Sequence, residues 1–214
     1  MWSTIAYYLL LTFESIFGVF GIRLSEEAAY KTVDRVGSAV EIREYAPVMM
    51  AEVTLPKGDR QARNQAFRLL FDYISGANKS AAGSDKVAMT VPVAIDEPER
   101  IAMTVPVQTS PESGTMRFFL PAKYTPKVPP PEPTNTRVKV VALPARTIAT
   151  LRYSGSGREA TRKEQELLKA LQGSVWRPAG RPYTLYYDPP FTIPFLRRNE
   201  AAVAVERIAT APPQ

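Results

Sequence analysis

Apolar and polar residues follow the same succession of elements twice along this chain. In the first half the pattern predicts a strand over about 40–55, a turn at 56–59 and then a helix. Asp59 can cap the start of this helix, and Gly76 can end it in the left-handed conformation that glycine adopts at little cost. The inward face of the helix is apolar and carries Ala62, Ala66, Leu69, Leu70 and Tyr73.

A matching helix is predicted in the second half, after the turn at 154–157. Ser156 and Glu159 fit a reciprocal capping box, and Gly173 can end the helix. Its inward face carries Ala160, Leu167, Leu168 and Leu171.

Shifting the chain against itself by ninety-eight positions aligns apolar residues of the two halves without a gap, as at Val40 and Val138. Apolar character survives this comparison better than identity, which is typical of a duplicated unit that keeps its core. We therefore predict two β-helix-β-β pseudo-repeats at about 40–121 and 138–206. A proline-rich segment at 124–136 suits an extended surface connector between them.

Two nearly identical heptapeptides, VAMTVPV at 87–93 and IAMTVPV at 101–107, lie fourteen positions apart. Each alternates apolar with small or polar residues, and a turn-type cluster separates them, so together they predict a hairpin. Met89 and Met103 occupy equivalent positions in its two strands. The hairpin lines either the core or a pocket.

Residues 2–22 form a long apolar run that carries one charge, Glu14. A helix rising about 1.5 Å per residue would be long enough to cross a bilayer core. Its bulky residues share one face and Glu14 lies opposite, so it could span with Glu14 turned toward a partner or lie in the interface. A cleaved signal peptide and packing on the protein's own domain are the alternatives.

We therefore expect residues 1–24 to associate with a membrane, residues 25–207 to form the folded domain, and residues 208–214 to be a tail. Arg23, Lys31 and Arg35 follow the apolar run and no basic residue precedes it. For a spanning helix this distribution favours a cytoplasmic domain. Export after signal cleavage is the alternative location.

Composition excludes several classes of chemistry. The chain has neither histidine nor cysteine, so it cannot build Ser-His-Asp or Cys-His nucleophiles, ordinary zinc sites or imidazole-ligated iron. Glycine-rich nucleotide motifs are missing, and a net charge of +6 without a concentrated basic stripe does not indicate a nucleic-acid partner. The residues present therefore do not indicate an enzyme.

Several segments together resemble the SOUL haem-binding protein family, and the resemblance covers about residues 30–206. They are the two heptapeptides and the segments 41–47, 64–70, 117–121, 144–155 and 187–191. The resemblance implies a duplicated α+β fold in which strands of both halves form a curved, barrel-like sheet with two main helices against it. It also implies reversible binding of haem or another tetrapyrrole in a mainly hydrophobic cleft.

Some members of that family are thought to use a histidine as the axial iron ligand, and this chain has none. A methionine or a tyrosine would have to ligate the iron, or apolar contacts would hold the macrocycle while Arg or Lys binds its carboxylates. The proposed cleft residues are Arg63, Phe67, Leu70, Phe71, Met89, Met103, Phe191 and Phe195. For each of these, core packing or a solvated surface charge is the alternative.

Two other functions stay open. One is a non-catalytic accessory or small-molecule-sensing subunit of a membrane complex, with no tetrapyrrole involved. The other is an enzyme acting on a tetrapyrrole, for example by metal removal, which would need an ionisable group inside the cleft.

Overall fold

The structure is a computed structural model that describes residues 26–55, 60–79, 87, 90–91, 93–96, 114–188 and 192–208. It has an α+β fold, as predicted, with two main helices, α1 (Arg60–Ile74) and α2 (Ala160–Leu171), and a short 3-10 helix (Pro194–Leu196). The strands in chain order are β1 (Glu26–Glu27), β2 (Tyr30–Val36), β3 (Val40–Tyr45), β4 (Val48–Leu55), β5 (Asn78–Lys79), β6 (Thr90–Val91), β7 (Val93–Asp96), β8 (Gly114–Phe119), β9 (Glu132–Pro133), β10 (Lys139–Leu143), β11 (Arg146–Tyr153), β12 (Trp176–Pro178), β13 (Tyr183–Tyr186) and β14 (Asn199–Arg207).

The predicted N-terminal helix at 1–24 and the second heptapeptide at 101–107 lie outside the described residues, so the membrane helix and the hairpin stay predictions. Among the residues that the structure does describe, no helix is long and apolar enough to cross a bilayer. The first heptapeptide contributes to β6 and β7, and β7 pairs with β8 and β13 in the main sheet.

The main sheet is antiparallel and open, with the strand order β10-β4-β8-β7-β13-β14-β11-β3-β2 and β12 added beside β14. The expected curved, barrel-like sheet is therefore not a closed barrel. Closure would require the two end strands to pair with each other, and in the described part of the chain β10 pairs only with β4 and β2 only with β3.

Two long segments of chain, 40–55 and 139–153, each contribute two strands to this sheet, one strand near each of its ends. β4 pairs with β10 from Val48 opposite Leu143 onward, and β3 pairs with β11 up to Tyr45 opposite Arg146. Residues 46–47 and 144–145 lie between these two ladders and form a gap in the pairing. Because the gap has two residues on each segment, the register is the same on both sides of it. It contains Pro47 on one segment and Pro144 on the other, and neither proline has an N–H to donate.

The single strand predicted over 40–55 is therefore wrong, since it is two strands separated by this gap. The side-chain alternation also slips at the gap. Tyr45 and Val48 both pack in one apolar cluster although an odd number of positions separates them, and Leu143 and Ile148 do the same on the other segment. The slip lets both strands of each segment bury one face in spite of the interruption.

Each main helix covers one part of the sheet. α1 packs Ala66, Leu70, Tyr73 and Ile74 against β4 and β8, and α2 packs Leu167 and Leu171 against β3, β11 and β14. The predicted inward residues of α1 are confirmed except that Leu69 is half-buried at the edge of its cluster. In α2 Leu167 is fully buried whereas Leu168 is half-buried, because β11 and β14 contact the other side of the helix.

The predicted capping box at the start of α2 is wrong. Glu159 precedes the helix without a side-chain capping hydrogen bond and forms an ion pair with Arg162 at 2.9 Å. Gly155 and Gly157 both have positive φ, and Gly157 lies where a Cβ would stand 3.0 Å from the Tyr186 ring. These glycines set the entry into α2, whereas Gly76 and Gly173 have positive φ after the two helices, as predicted.

The proline-rich connector at 124–136 is tied to α1. The Tyr73 hydroxyl donates a 2.8 Å hydrogen bond to the Pro131 carbonyl, and β9 of the connector pairs with β5 just after the helix. Pro130 and Pro131 are buried, although most of the segment is exposed as expected. The connector therefore fixes the C-terminal end of α1 against the sheet.

Candidate functional site

Three of the proposed cleft residues lie on one face of α1, because residues four apart in a helix are neighbours on its surface. They are Arg63, Phe67 and Phe71. The two phenylalanine rings stack with centroids 6.2 Å apart and an interplanar angle of 13°. Each side chain is 37% exposed, although aromatic residues of this size are usually more buried.

This aromatic stripe, defined by Arg63, Phe67 and Phe71, rests on the core below it. Phe67 contacts the buried Phe118 of β8 edge-on, with centroids 5.4 Å apart and an interplanar angle of 66°. Arg63 is half-buried one turn before Phe67. The stripe thus offers ring faces to a flat apolar ligand and a guanidinium to a carboxylate.

The structure describes two of the remaining proposed residues, Leu70 and Phe195. Leu70 is fully buried and faces the sheet under α1, which agrees with the core alternative and leaves it no surface for a ligand in this conformation. Phe195 is 74% exposed on the short 3-10 helix. Met89, Met103 and Phe191 lie outside the described residues.

The described methionines and several tyrosines are poorly placed to ligate iron. Met49, Met50 and Met116 are buried in the apolar clusters. Burial raises the pKa of Tyr153 to about 12 and also raises the pKa of Tyr73, so both phenols stay protonated near neutral pH. No group of three or more Asp and Glu residues able to hold a metal occurs in the described ranges.

A network of buried charges lies on the sheet, and the sequence analysis missed it. Glu200 of β14 is fully buried and accepts hydrogen bonds from Arg43 at 2.6 Å, from the Tyr187 hydroxyl at 2.8 Å and from Arg198 at 2.9 Å. Arg43 also donates to Glu41 at 2.7 and 2.9 Å. Two signals were available in the sequence. Glu200 directly precedes the apolar run 201–205, and the charged Glu41 and Arg43 alternate with the apolar Val40 and Ile42 in β3.

Electrostatics hold this network in its charged form. Burial opposes the charge of Glu200, but hydrogen bonding and the positive charges of Arg43 and Arg198 outweigh it and keep the Glu200 pKa below its usual value. Burial and the negative charge of Glu200 together raise the pKa of Tyr187, so this phenol remains a donor. Arg43 and Arg198 also lie over the rings of Tyr30 and Tyr187, at 4.2 and 3.9 Å from their centroids.

Because every oxygen of Glu200 is already bonded to the protein, this network is better suited to holding strands together than to receiving a ligand. Arg43 comes from β3, Glu200 from β14, and Tyr187 follows β13. The ion pair therefore joins strands that are far apart in the sequence.

A cavity of about 570 Å³ lies where β3 and β11 meet the gap in the long segments. Three alanines form part of its wall. The other lining residues are Tyr30, Lys31, Glu44, Tyr45, Arg146 and Thr147.

Comparison with known families and structures adds three findings. The family described as SOUL heme-binding protein matches residues 25–204. A comparison with functionally characterised protein sequences finds no match. Solved structures share the fold at low sequence identity.

The C-terminal domain of EcmrR is similar with a TM-score of 0.57 and 10% identity, over 83% of this chain and 98% of that domain. An uncharacterised conserved protein from Listeria innocua has a TM-score of 0.54 and 16% identity, over 78% and 92% of the two chains. A hydrolase from Listeria innocua has a TM-score of 0.54 and 15% identity over the same shares. At such identities the likeness concerns the fold alone.

Proposed function

Because the chain belongs to the SOUL haem-binding protein family, we propose that it reversibly binds haem or a related tetrapyrrole without a histidine axial ligand. The observation that carries this proposal is the aromatic stripe of α1, where two large stacked rings are partly exposed next to an arginine. Exposed aromatic surface of this kind gains free energy when a flat apolar ligand covers it.

Each residue has a defined part in the proposed cleft. Phe67 and Phe71 stack on the macrocycle, and Arg63 binds a carboxylate of the ligand through charge-assisted hydrogen bonds. Met89 and Met103 from the predicted hairpin, together with Phe191 and Phe195, complete the apolar wall. Leu70 keeps α1 on the sheet from below.

In this proposal the chain would hold the tetrapyrrole by apolar contact and by charge, with no histidine bonded to a metal in the ligand. The chain has no histidine or cysteine, and the described methionines are buried in the core. A tetrapyrrole supplies its own light absorption and metal chemistry, and the protein supplies apolar contact and a positive charge. The same contacts suit metal-free porphyrins.

The protein acts by binding rather than by catalysis, and residues 2–22 place it at or near a membrane with its domain in the cytoplasm. This part of the proposal is supported by the apolar run at 2–22 and by the basic residues that follow it. The two halves descend from one duplicated unit, supported by their shared pattern of apolar positions. Nucleic acid is not among the proposed partners.

The test is a haemin titration of the full-length protein followed at the Soret band. We expect a saturable one-to-one change without the spectrum of histidine ligation. Replacing both rings (Phe67→Ala with Phe71→Ala) should weaken binding about tenfold or more, because stacking and apolar contact are lost together.

The matched control removes two exposed apolar side chains elsewhere, Val175→Ala with Ile208→Ala, and should bind haemin like the unmodified protein. Arg63→Gln should weaken binding of a porphyrin dicarboxylate more than binding of its dimethyl ester, whereas Arg68→Gln on another face of α1 should not. No spectral change at tens of micromolar haemin would overturn the haem part of the proposal.

A further inference from the structure

The first residues of the described domain lie beside an exposed apolar turn. Glu27 of β1 forms an ion pair of 2.7 Å with Arg198, which follows the short 3-10 helix by two residues. That helix leaves Phe195 74% exposed and Leu196 38% exposed. A single exposed apolar residue is common, but here two adjacent ones project next to the start of the domain.

This turn is fixed to the domain on both sides. The Pro194 carbonyl accepts a 3.0 Å hydrogen bond from the Gly155 N–H, and the Arg198 N–H donates a 2.6 Å hydrogen bond to the Asp188 carboxylate. The exposure of the two apolar side chains is therefore a property of the folded domain.

The length of chain before β1 limits how far this turn can lie from the apolar run at 2–22. Four residue steps separate residue 22 from Glu26, and an extended chain covers at most about 14 Å in four steps. This inference rests on the membrane location proposed above for the apolar run. With the run in a bilayer, Glu26 lies near the bilayer surface, and the ion pair of Glu27 with Arg198 brings the turn to the same side of the domain.

The charges around β1 are compatible with an anionic bilayer. Glu27 is paired with Arg198, and the Glu26 carboxylate accepts a 2.9 Å hydrogen bond from the Ala122 N–H. The next residue, Lys123, is exposed and adds a positive charge beside this contact. Basic residues near the surface are attracted to anionic headgroups, whereas the charge of Glu27 is already balanced within the protein.

We propose that the turn of Phe195 and Leu196 is a second membrane contact, at which both side chains insert into the interface of an anionic bilayer. Interfacial binding grows with the apolar area that is buried and with attraction to anionic lipid. Two side chains alone bind only weakly and reversibly, so the run at 2–22 remains the anchor and the turn orients the domain. Phe195 is also assigned to the wall of the proposed cleft, so this cleft opens toward the bilayer.

The test uses the absence of cysteine, because a single introduced cysteine can then be labelled specifically. Full-length Leu196→Cys carries a nitrobenzoxadiazole fluorophore and is reconstituted into vesicles of phosphatidylcholine and phosphatidylglycerol, with or without a nitroxide on the acyl chains. We expect the nitroxide lipid to lower the emission at least about twofold, because the label lies in the interface. Iodide in the water should quench it little.

The matched control is Val175→Cys, a position that is 44% exposed. The Val175 carbonyl accepts a hydrogen bond from Ile208, just past the far end of β14, roughly 30 Å along the strand from the turn. Its label should be quenched by iodide and not by the nitroxide lipid. Phe195→Cys serves as the second labelling position if Leu196→Cys lowers the denaturation midpoint.

A label at Ser15→Cys, inside the apolar run, reports separately on the proposed membrane location. Nitroxide quenching at Ser15→Cys without quenching at Leu196→Cys would overturn the second contact and leave that location standing, whereas no quenching at either position would overturn both. Equal nitroxide quenching at Leu196→Cys and Val175→Cys would also overturn the proposal, since no particular surface would then face the lipid. Quenching at Leu196→Cys with protection from iodide supports it, and the haemin titration tests tetrapyrrole binding independently.

Discussion

Arg43 and Glu200 are 157 positions apart in the chain, yet their side chains form an ion pair of 2.6 Å with both groups almost completely buried. The pair joins β3 to β14, and Arg198 and Tyr187 occupy the remaining acceptor positions of the carboxylate. A buried charge is tolerated when its partners are this complete, and becomes costly when one of them is removed.

Glu200→Ala should therefore destabilise the protein by about 3–5 kcal/mol, because the buried Arg43 would lose its buried partner and keep only the partly exposed Glu41. Denaturant midpoints of the unmodified and variant proteins give the difference. Glu206→Ala is the matched control on the same strand, since Glu206 pairs with Arg177 at the surface and should cost no more than about 1 kcal/mol. Similar losses in both variants would contradict the importance of the buried network.

Stability should fall in acid through Glu200. Its folded-state pKa is lower than its usual value, so the stabilisation is complete above the unfolded pKa of about 4.3 and is lost as the pH falls toward the folded pKa. Unfolding free energies from pH 7 to pH 3 should show a smaller difference between the unmodified protein and Glu200→Gln at the acid end. A difference that stays constant over this range would argue against the shift.

Stability should also fall in alkali through buried tyrosines. Burial raises the folded-state pKa of Tyr45 and of Tyr153 to about 12, so these groups stabilise the fold below their unfolded pKa of about 10. That contribution is lost as the pH rises from about 10 to about 12. Denaturation midpoints across this interval should decline less steeply in Tyr45→Phe and Tyr153→Phe, and an equal slope in all three proteins would refute the assignment.

Leu70→Ala and Leu167→Ala should each cost about 2–5 kcal/mol, because both side chains are fully buried under their helices. Leu69→Ala and Leu168→Ala should cost less, since these neighbours are half-buried at the edges of the same clusters. Thermal or denaturant unfolding of the four variants gives the ranking. A larger loss at Leu168 than at Leu167 would show that α2 is rotated from the orientation described above.

Removing residues 1–24 should release the protein from membranes without unfolding the domain. The family match begins at residue 25, and the strands and helices of the described residues all lie C-terminal to it. Cell fractionation should place the full-length protein in the membrane pellet, resistant to salt, and the shortened protein in the soluble fraction. A full-length protein that is soluble with an intact N-terminus would contradict membrane association, and an exported, trimmed protein would favour a signal peptide.

The sequence predicted those parts of the fold that depend on local pattern. The apolar faces of α1 and α2, the glycines that end them and the α+β class all follow from periodicity and backbone preference. The break at Pro47 was missed although proline marks it, because the apolar pattern continues on both sides. The start of α2 was missed because Ser156 lies between two glycines with positive φ.

Contacts between residues far apart in the sequence could not be predicted from local pattern. The pairing of Arg43 with Glu200 depends on the order of strands in the sheet, which no local pattern contains. Arg63, Phe67, Leu70 and Phe71 were proposed together as cleft residues of the first helix. Leu70 faces the core instead, and whether the other three bind a ligand stays a prediction. The cavity at Arg146 was missed because its walls come from three strands.

The position of β14 has a consequence for how the protein is made. This strand pairs with β11, β12 and β13 in the interior of the sheet, yet it is the last strand of the described chain to be synthesised. Until β14 leaves the ribosome, Arg43 cannot form its ion pair with Glu200, and β11 and β13 lack the strand that pairs with both of them. The sheet is therefore completed only after residues 199–207 have left the ribosome, and nascent chains that stop before residue 199 should depend on chaperones to remain soluble.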